Sequence, residues 1–222
     1  MRLVIFDVDG TLVDSQNMIF AAFGHAYESL GLPVPDRQTA LGFVGMSLDR
    51  IFPALSPDLT EDQHTALAQG YREAYFTIRQ QQGSIATSPF FPGARAVLDT
   101  LRAQDETLLA VATGKSRRGL DKLIEGHGLD GYFISQQTAD DHPSKPHPAM
   151  VLACLADAGV DTDRAVMIGD TTFDMDMGRT AGVRTIGVSW GYHPVAELKA
   201  DHIVHDFNAL PGVIDALIGP AA

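Results

Sequence analysis

Cysteine, basic residues and long apolar runs are all scarce in this sequence. Its 222 residues include a single cysteine, Cys154, so no disulfide can form within the chain and packing has to hold the fold together. No apolar run approaches the roughly 20 residues that span a membrane, and the apolar stretch at the N-terminus is too short for a secretory signal. We therefore expect a globular protein of the cytoplasm.

The shortage of basic residues sets the sign of the electrostatic field around the protein. The chain has 16 Lys and Arg against 28 Asp and Glu, which gives a formal net charge of −12. Such a field repels nucleic acids and anionic membranes, so neither is expected as a partner. An anionic substrate would need positive charge that is supplied locally, by a metal ion or by a few Lys and Arg side chains.

Apolar runs alternate with helical patterns over most of the chain. Strands are predicted at 2–7, 107–113, 132–134, 165–169, 184–188 and 202–204. Helices are predicted at 93–104, 116–127, 148–158, 172–181 and 207–218. This alternation predicts an α/β protein, with a Rossmann-like parallel sheet that carries helices on both faces.

The segment after the first strand has a different pattern. Helices are predicted at about 17–30, 36–41, 47–55 and 60–82, and no clear strand is visible between residues 16 and 87. We therefore expect residues 16–87 to form an inserted all-helical domain. Residues 1–15 and 88–222 would together form the discontinuous Rossmann-like core.

Polar residues at the ends of the predicted strands are candidates for chemistry. Asp7, Thr113 and Asp170 each lie at the C-terminal end of a strand, and Asp9 lies two residues beyond Asp7. Ligands of open parallel sheets bind beyond the carboxyl ends of the strands, so these residues are expected to meet at one edge. Converging carboxylates repel each other unless a cation or a shared proton intervenes. Oxygen ligands favour Mg²⁺ as that cation.

The motif Asp7-Val8-Asp9-Gly10-Thr11-Leu12-Val13-Asp14-Ser15 resembles the first motif of the haloacid dehalogenase-like superfamily, in its phosphatase form. The later motifs of that superfamily follow in order, at Thr113, at Lys145 and at Gly169-Asp170-Thr171-Thr172-Phe173-Asp174. Together the motifs span almost the whole chain. The segment 16–87 resembles a type-1 cap, and the chain as a whole is most similar to the phosphoglycolate phosphatase-like branch.

The resemblance implies a role for each matching residue. Asp7 would attack phosphorus and form a phospho-aspartate, and Asp9 would act as general acid and then as general base. Thr113, Gly114 and Lys145 would bind the phosphate. The dehalogenases of the superfamily lack an acid at the position of Asp9, so its presence favours phosphoryl chemistry.

The resemblance also implies a Mg²⁺ site. Asp7, the backbone carbonyl of Asp9 and Asp170 would hold the ion, with Asp174 and Thr11 supporting these ligands. Of the cations that follow Gly114, at least one is expected to face the site, and the sequence leaves open which. These cations are Lys115, Arg117 and Arg118.

The implied function is hydrolysis of a small phosphate monoester, such as phosphoglycolate or a sugar phosphate. A phosphomutase of the β-phosphoglucomutase type and a pyrophosphatase share the same catalytic set and stay open as alternatives. Leu48 stands where the mutase branch has an arginine, which weakens the mutase alternative. A non-catalytic phosphate-binding module is disfavoured because binding alone needs no Asp9. The expected partner is a small phosphorylated metabolite, and either a monomer or a homodimer is compatible with the sequence.

Overall fold

The computed structural model describes residues 1–221, and these contain one six-stranded sheet. The strands are β1 Arg2–Phe6, β2 Thr107–Thr113, β3 Ser135–Thr138, β4 Ala165–Gly169, β5 Arg184–Val188 and β6 His202–Val204. All neighbouring strands are parallel, in the order β3-β2-β1-β4-β5-β6. This is the strand order of a doubly wound Rossmann fold, and it confirms the predicted fold class.

Helices cover both faces of the sheet. The helices are α1 Gln16–Ser29, α2 Arg37–Leu41, α3 Leu48–Leu55, α4 Glu61–Gln82, α5 Ser84–Thr87, α6 Ala94–Arg102, α7 Arg117–His127, α8 Ala149–Ala158, α9 Thr172–Ala181, α10 Val195–Leu198 and α11 Leu210–Ile218. Because side chains alternate along a strand, Val4 and Phe6 of β1 pack in a cluster with residues of α6, α7 and α11. Leu3 and Ile5 pack in a second cluster with residues of α8 and α9.

The central position of β1 determines where the site forms. Phe6, the last residue of β1, lies opposite Val111 of β2 and Ile168 of β4. The residues that follow these three strands therefore emerge side by side at the carboxyl edge of the sheet. Asp7 lies at the middle of that edge, and its backbone N–H donates to the Ile168 carbonyl at 2.9 Å.

The amino end of β1 is fixed by a buried arginine. The Arg2 side chain is fully buried and donates to Asp215 of α11 at 2.5 Å and to the Gly219 carbonyl at 2.8 Å. It also donates to Gln104, in the loop before β2, and to Thr107, the first residue of β2. The first strand and the last helix are thus joined at the edge of the sheet opposite Asp7.

The third strand does not lie where the sequence predicted it. The apolar segment 132–134 precedes the strand, and the polar segment Ser135–Thr138 pairs with β2 as the edge strand. Phe133 is buried, and it packs together with Tyr132 against the cluster under α6 and α7. An edge strand needs only one neighbour for its ladder, so hydrophobicity is a poor guide to its position, and the prediction was wrong for that reason.

Helices α1 to α4 contain a hydrophobic cluster of their own. Phe23, Phe52 and Tyr71 form its aromatic centre, with ring centroids 5.0 to 6.3 Å apart. Helix α4 begins with a capping box between Thr60 and Gln63. The short α5 was not predicted. No helix within residues 1–221 has the length and apolar character needed to cross a membrane.

Candidate active site

Lys145 joins two carboxylates at the carboxyl edge of the sheet. Its Nζ lies 2.6 Å from Asp7 Oδ1 and 2.6 Å from Asp174 Oδ1. All three side chains are buried. Burial raises the pKa of Asp7 to about 7, with a further contribution from the negative charge of Asp174, while Lys145 acts in the opposite direction. Lys145 therefore favours the ionised form of Asp7.

Asp170 follows β4 and is held by two hydrogen bonds. The Thr11 hydroxyl donates to its Oδ1 at 2.9 Å, and the Tyr192 backbone N–H donates to its Oδ2 at 2.8 Å. The side chain is fully buried. Burial and the nearby charges of Asp174 and Asp7 raise the pKa of Asp170 well above its ordinary value. This carboxylate therefore has neutral donors but no cation bonded to it among residues 1–221.

The three carboxylates Asp7, Asp170 and Asp174 form a cluster that suits a divalent cation. One oxygen from each lies within 4.8 Å of the others. When ionised they carry three negative charges, and the only cation bonded to the cluster within the described chain is Lys145. A buried excess of carboxylate charge and oxygen donors are features that fit Mg²⁺. The residues present thus fit the ion that the sequence implied.

Both carboxylate oxygens of Asp174 accept hydrogen bonds from other residues of the protein. Its Oδ2 accepts from the Thr171 backbone N–H at 3.0 Å and from the Thr171 hydroxyl at 2.6 Å. Its Oδ1 accepts from Lys145. These contacts leave Asp7 and Asp170 as the carboxylates with more free oxygen capacity, and the supporting role of Asp174 stays a prediction.

The Asp9 carboxylate is bound separately from that cluster. Lys115 Nζ donates to both Asp9 oxygens, at 2.8 and 2.7 Å, and the Ser15 hydroxyl donates to Oδ1 at 2.5 Å. Lys115 Nζ also donates to the Tyr75 hydroxyl of α4 at 2.7 Å. Of the cations after Gly114, Lys115 therefore bonds to a motif acid, and Arg118 lines the cavity without such a bond. Arg117 instead pairs with Asp141 at 2.9 Å.

The predicted phosphate-binding segment lines the same cavity as the two motif acids. Asp7, Asp9, Thr113, Gly114 and Lys115 all contribute to a cavity of about 400 Å³. Thr113 ends β2, and its buried hydroxyl accepts from the Lys115 backbone N–H at 3.2 Å. The turn from β2 into α7 thus presents a hydroxyl and a helix N-terminus to the cavity, an arrangement that suits an anion.

Two glycines make room for the Asp170 carboxylate. Gly10 has a φ of +87°, and a Cβ there would lie 2.3 Å from Asp170 Oδ2. A Cβ at Gly191 would lie 2.0 Å from the Asp170 Cβ. Because neither approach tolerates a side chain, glycine at these two positions allows the turn after Asp9 and the loop after β5 to enclose Asp170.

Part of the site was not predicted from the sequence. The structure places Tyr192, in the loop after β5, at the site, with its hydroxyl 3.1 Å from the Ser15 hydroxyl. No role was predicted for Ser15 or Tyr75. Tyr75 occurs on α4 near Tyr71, which packs in the aromatic cluster, so helical spacing alone does not distinguish a site residue from a core residue.

Known proteins resemble the chain over nearly its full length. The probable phosphatase IndB of Dickeya dadantii is 38% identical over 221 residues, covering 97% of this chain and 94% of that protein. The pyrophosphatase PpaX of Bacillus pumilus is 32% identical, covering 97% of each chain. A phosphoglycolate phosphatase of Agrobacterium fabrum is 31% identical, covering 99% of this chain and 95% of that protein.

Structural and family comparisons agree with these relatives. The crystal structure of a hydrolase from Pseudomonas syringae superimposes with a TM-score of 0.84 at 26% identity, covering 98% of this chain and 99% of the other. The model of the haloacid dehalogenase-like hydrolase family matches residues 4–188, which include all the motifs described above. The chain therefore belongs to the haloacid dehalogenase-like hydrolase family.

Proposed function

We propose that this protein is a Mg²⁺-dependent phosphatase that hydrolyses a small phosphate monoester through a phospho-aspartate on Asp7. The observation that carries the proposal is the position of Asp7. It is buried at the centre of the sheet edge, where it is bonded to Lys145 and clustered with Asp170. It also lines a cavity that Asp9 lines as well. The names of the relatives, which include phosphatases of several kinds, support the same reaction class.

Asp7 supplies the nucleophile. Lys145 binds its Oδ1 and thereby fixes the orientation of the carboxylate. In the first step a carboxylate oxygen bonds to phosphorus and the bond to the leaving oxygen breaks; in the second, water releases phosphate and restores Asp7. Mg²⁺ held by Asp7, Asp170 and the Asp9 carbonyl would supply the positive charge that offsets repulsion between the carboxylate and the phosphate.

Asp9 acts as the general acid of the first step and as the general base of the second. It donates a proton to the leaving alkoxide in the first step and accepts one from the attacking water in the second. Its contacts with Lys115 and Ser15 hold the carboxyl in one position beside the cavity. Thr113, Gly114 and Lys145 bind the phosphate oxygens during both steps.

We further propose that residues 16–87 act as a cap over the cavity, hinged at its junctions with the core. The cap lines one wall of the cavity and the core lines the other. A Cβ placed on Gly114 of the core would lie 2.3 Å from the Gly45 carbonyl oxygen, so the backbones of the two parts are in direct contact there. Closure of a cap excludes water from the first step and commits the substrate.

A pyrophosphatase is the second candidate, and one observation favours it: a relative of that name is 32% identical over 222 residues. The catalytic set would be the same, with phosphate as the leaving group. A phosphomutase is less well supported, because Leu48 offers no charge where the mutase branch has an arginine.

A direct assay tests the proposal. Phosphate release is measured from phosphoglycolate, sugar phosphates, other monoesters and pyrophosphate, with Mg²⁺ and with a chelator. We expect release from at least one monoester that requires Mg²⁺ and is lost in Asp7→Asn. The matched control is Asp176→Asn, at an exposed position of α9. Release by Asp7→Asn at the wild-type rate would refute the assignment of the nucleophile.

A further inference from the structure

The cavity is larger than a phosphate group needs. Its volume of about 400 Å³ lies within the range of roughly 300 to 1,000 Å³ of sites that enclose drug-sized ligands. Asp7, Thr113 and Gly114 are only three of the residues that line it, and many of the others come from residues 16–87. The remaining space faces the cap, so the leaving group of the substrate determines what fills it.

The wall on the cap side is predominantly apolar. It includes side chains from α1, from the loop before α3, from α3 and from α4, namely Ile19, Met46, Leu48, Ile51, Tyr71 and Phe76. Apart from the Tyr71 hydroxyl, these side chains cannot hydrogen-bond the hydroxyls of a sugar or the oxygens of a carboxylate, and the Tyr75 hydroxyl on the same side is bonded to Lys115. A hydrophilic leaving group would therefore lose hydration against this wall without replacement.

Among residues 1–221, the cavity wall contains no buried cation that is free to bind a small carboxylate such as that of phosphoglycolate. Lys115 binds both oxygens of Asp9, and Lys145 binds Asp7 and Asp174. Arg79 donates to the Gly119 carbonyl at 3.2 Å and lies over the Tyr75 ring. Arg72 and Arg118 also line the cavity, but both are exposed, and water screens an exposed charge.

One cavity residue is an exposed aromatic ring. Phe76 of α4 keeps 37% of its surface accessible although it is a phenylalanine. The guanidinium of Arg118, from α7 of the core, lies 4.1 Å from the centroid of its ring. This pair spans cap and core and offers flat surfaces on both its members, which suits stacking against another planar group.

We propose that the leaving group of the substrate carries a planar ring with an apolar face, which packs against Leu48 and Phe76 while the phosphate lies at Asp7. This substrate class rests on the phosphatase function proposed above. A substrate of this class differs from phosphoglycolate, because the leaving group of phosphoglycolate is a two-carbon carboxylate.

Turnover of matched esters tests the proposal. Benzyl phosphate, ethyl phosphate and phosphoglycolate share the phosphate and have leaving alkoxides of comparable basicity, so differences in kcat/KM report the fit of the leaving group. We expect kcat/KM for benzyl phosphate to exceed the other two by about tenfold or more. Equal or faster turnover of ethyl phosphate or phosphoglycolate would overturn the proposal.

Binding without turnover separates this inference from the proposed function. Benzylphosphonate and ethylphosphonate cannot be hydrolysed at the carbon–phosphorus bond, and calorimetry with Mg²⁺ present gives their Kd values. Tighter binding of benzylphosphonate by about tenfold, with no hydrolysis of any ester, would refute the phosphatase and keep the ring site. Equal Kd values would refute the ring site even if esters are hydrolysed.

A variant tests the assigned contact. Phe76→Ala removes the ring at a partly exposed position and is expected to lower the benzyl-to-ethyl ratio of kcat/KM about fivefold. The control is Leu30→Ala, because Leu30 is also an apolar cap residue with similar exposure, 39%, and lies outside the cavity. The control should keep the wild-type ratio. An unchanged ratio in Phe76→Ala would remove Phe76 from the site.

Discussion

A buried lysine that pairs with two carboxylates adds little net stability, because the hydration it loses offsets the attraction. Its removal is destabilising, because the carboxylates then stay buried without compensation. Lys145 loses hydration on burial, and its contacts with Asp7 and Asp174 offset that loss. Burial disfavours its charged form, but the two carboxylates outweigh burial and raise the pKa of Lys145 above its ordinary value. The lysine thus stays charged and compensates part of the negative charge of the cluster.

Lys145→Met removes that compensation while keeping most of the side-chain volume. We expect the free energy of unfolding in metal-free buffer to fall by about 3–5 kcal/mol, because uncompensated carboxylates stay buried. Phosphate release should be lost as well. Urea denaturation measures the first effect, with Lys122→Met as control. Lys122 makes only an exposed ion pair with Glu125, so its variant should match the wild type. Equal stability of both variants would contradict the role of Lys145.

Asp9→Asn tests proton transfer separately from binding. On an alkyl phosphate we expect kcat to fall about 10² to 10⁴-fold, because the leaving alkoxide needs a proton. An activated aryl ester needs less help to leave, so it should still phosphorylate Asp7, and the phospho-aspartate should then accumulate because water lacks its base. Mass spectrometry after rapid quenching detects the intermediate. An equal loss with both esters and no accumulation would contradict the acid–base role.

Residue types at strand ends predicted much of the site, because parallel strands bring their carboxyl ends together whatever their separation along the chain. As expected, Asp7 lines the cavity together with Thr113 and lies in one carboxylate cluster with Asp170. Tyr75 and Tyr192 could not be predicted in the same way. They reach the site only through the packing of α4 and of the loop after β5, which the local pattern does not encode.

Among the elements, the turn from β2 into α7 lies directly against the loop before α3, which belongs to the proposed cap. Gly114→Ala would place a methyl group against the Gly45 carbonyl, and the loop before α3 would have to move away. We expect kcat/KM to fall at least about tenfold, since small displacements in an active site have large effects. The thermal midpoint should fall as well, because the added methyl group meets backbone atoms of Gly45 and not a flexible side chain.

The control for that variant is Gly24→Ala. Gly24 lies in α1, and apart from the adjoining backbone of that helix no atom among the described residues lies within 4 Å of the position that its added methyl group would take. Alanine should therefore stabilise the helix slightly and leave turnover unchanged. Steady-state kinetics and thermal melts compare the two variants. If Gly114→Ala retains wild-type kcat/KM, the close contact with Gly45 has no part in turnover.

Elements with a buried apolar face were predicted well, and those without one were not. Strand β4 is apolar and fully buried, so its sequence determined its position. Strand β3 consists of Ser-Gln-Gln-Thr and owes its position to pairing with β2, an interaction between backbones that side-chain pattern does not record. The four-residue α5 lies below the length at which helical periodicity can be detected.

For the whole molecule, we expect stability to depend on divalent cations, because three buried carboxylates that could hold one lie together in a chain with a net charge of −12. Mg²⁺ at about 100 times its Kd should add about 2.7 kcal/mol to the free energy of unfolding and raise Tm by roughly 5–10 °C. Thermal melts in Mg²⁺ and in chelator, at matched ionic strength, measure this shift. Asp170→Asn should abolish it. A saturable shift of wild-type size in that variant would place the ion elsewhere.

The buried Arg2 has a practical consequence for handling the protein on surfaces. Through its contacts with Asp215 and Gly219 it holds the beginning of β1 beside the end of α11, on the side of the sheet that faces away from the cavity. A tether attached near either of these segments would therefore present the cavity entrance to the surrounding solution. Immobilised molecules linked in this way should retain their turnover per molecule, whereas random coupling through lysines would block some of the entrances.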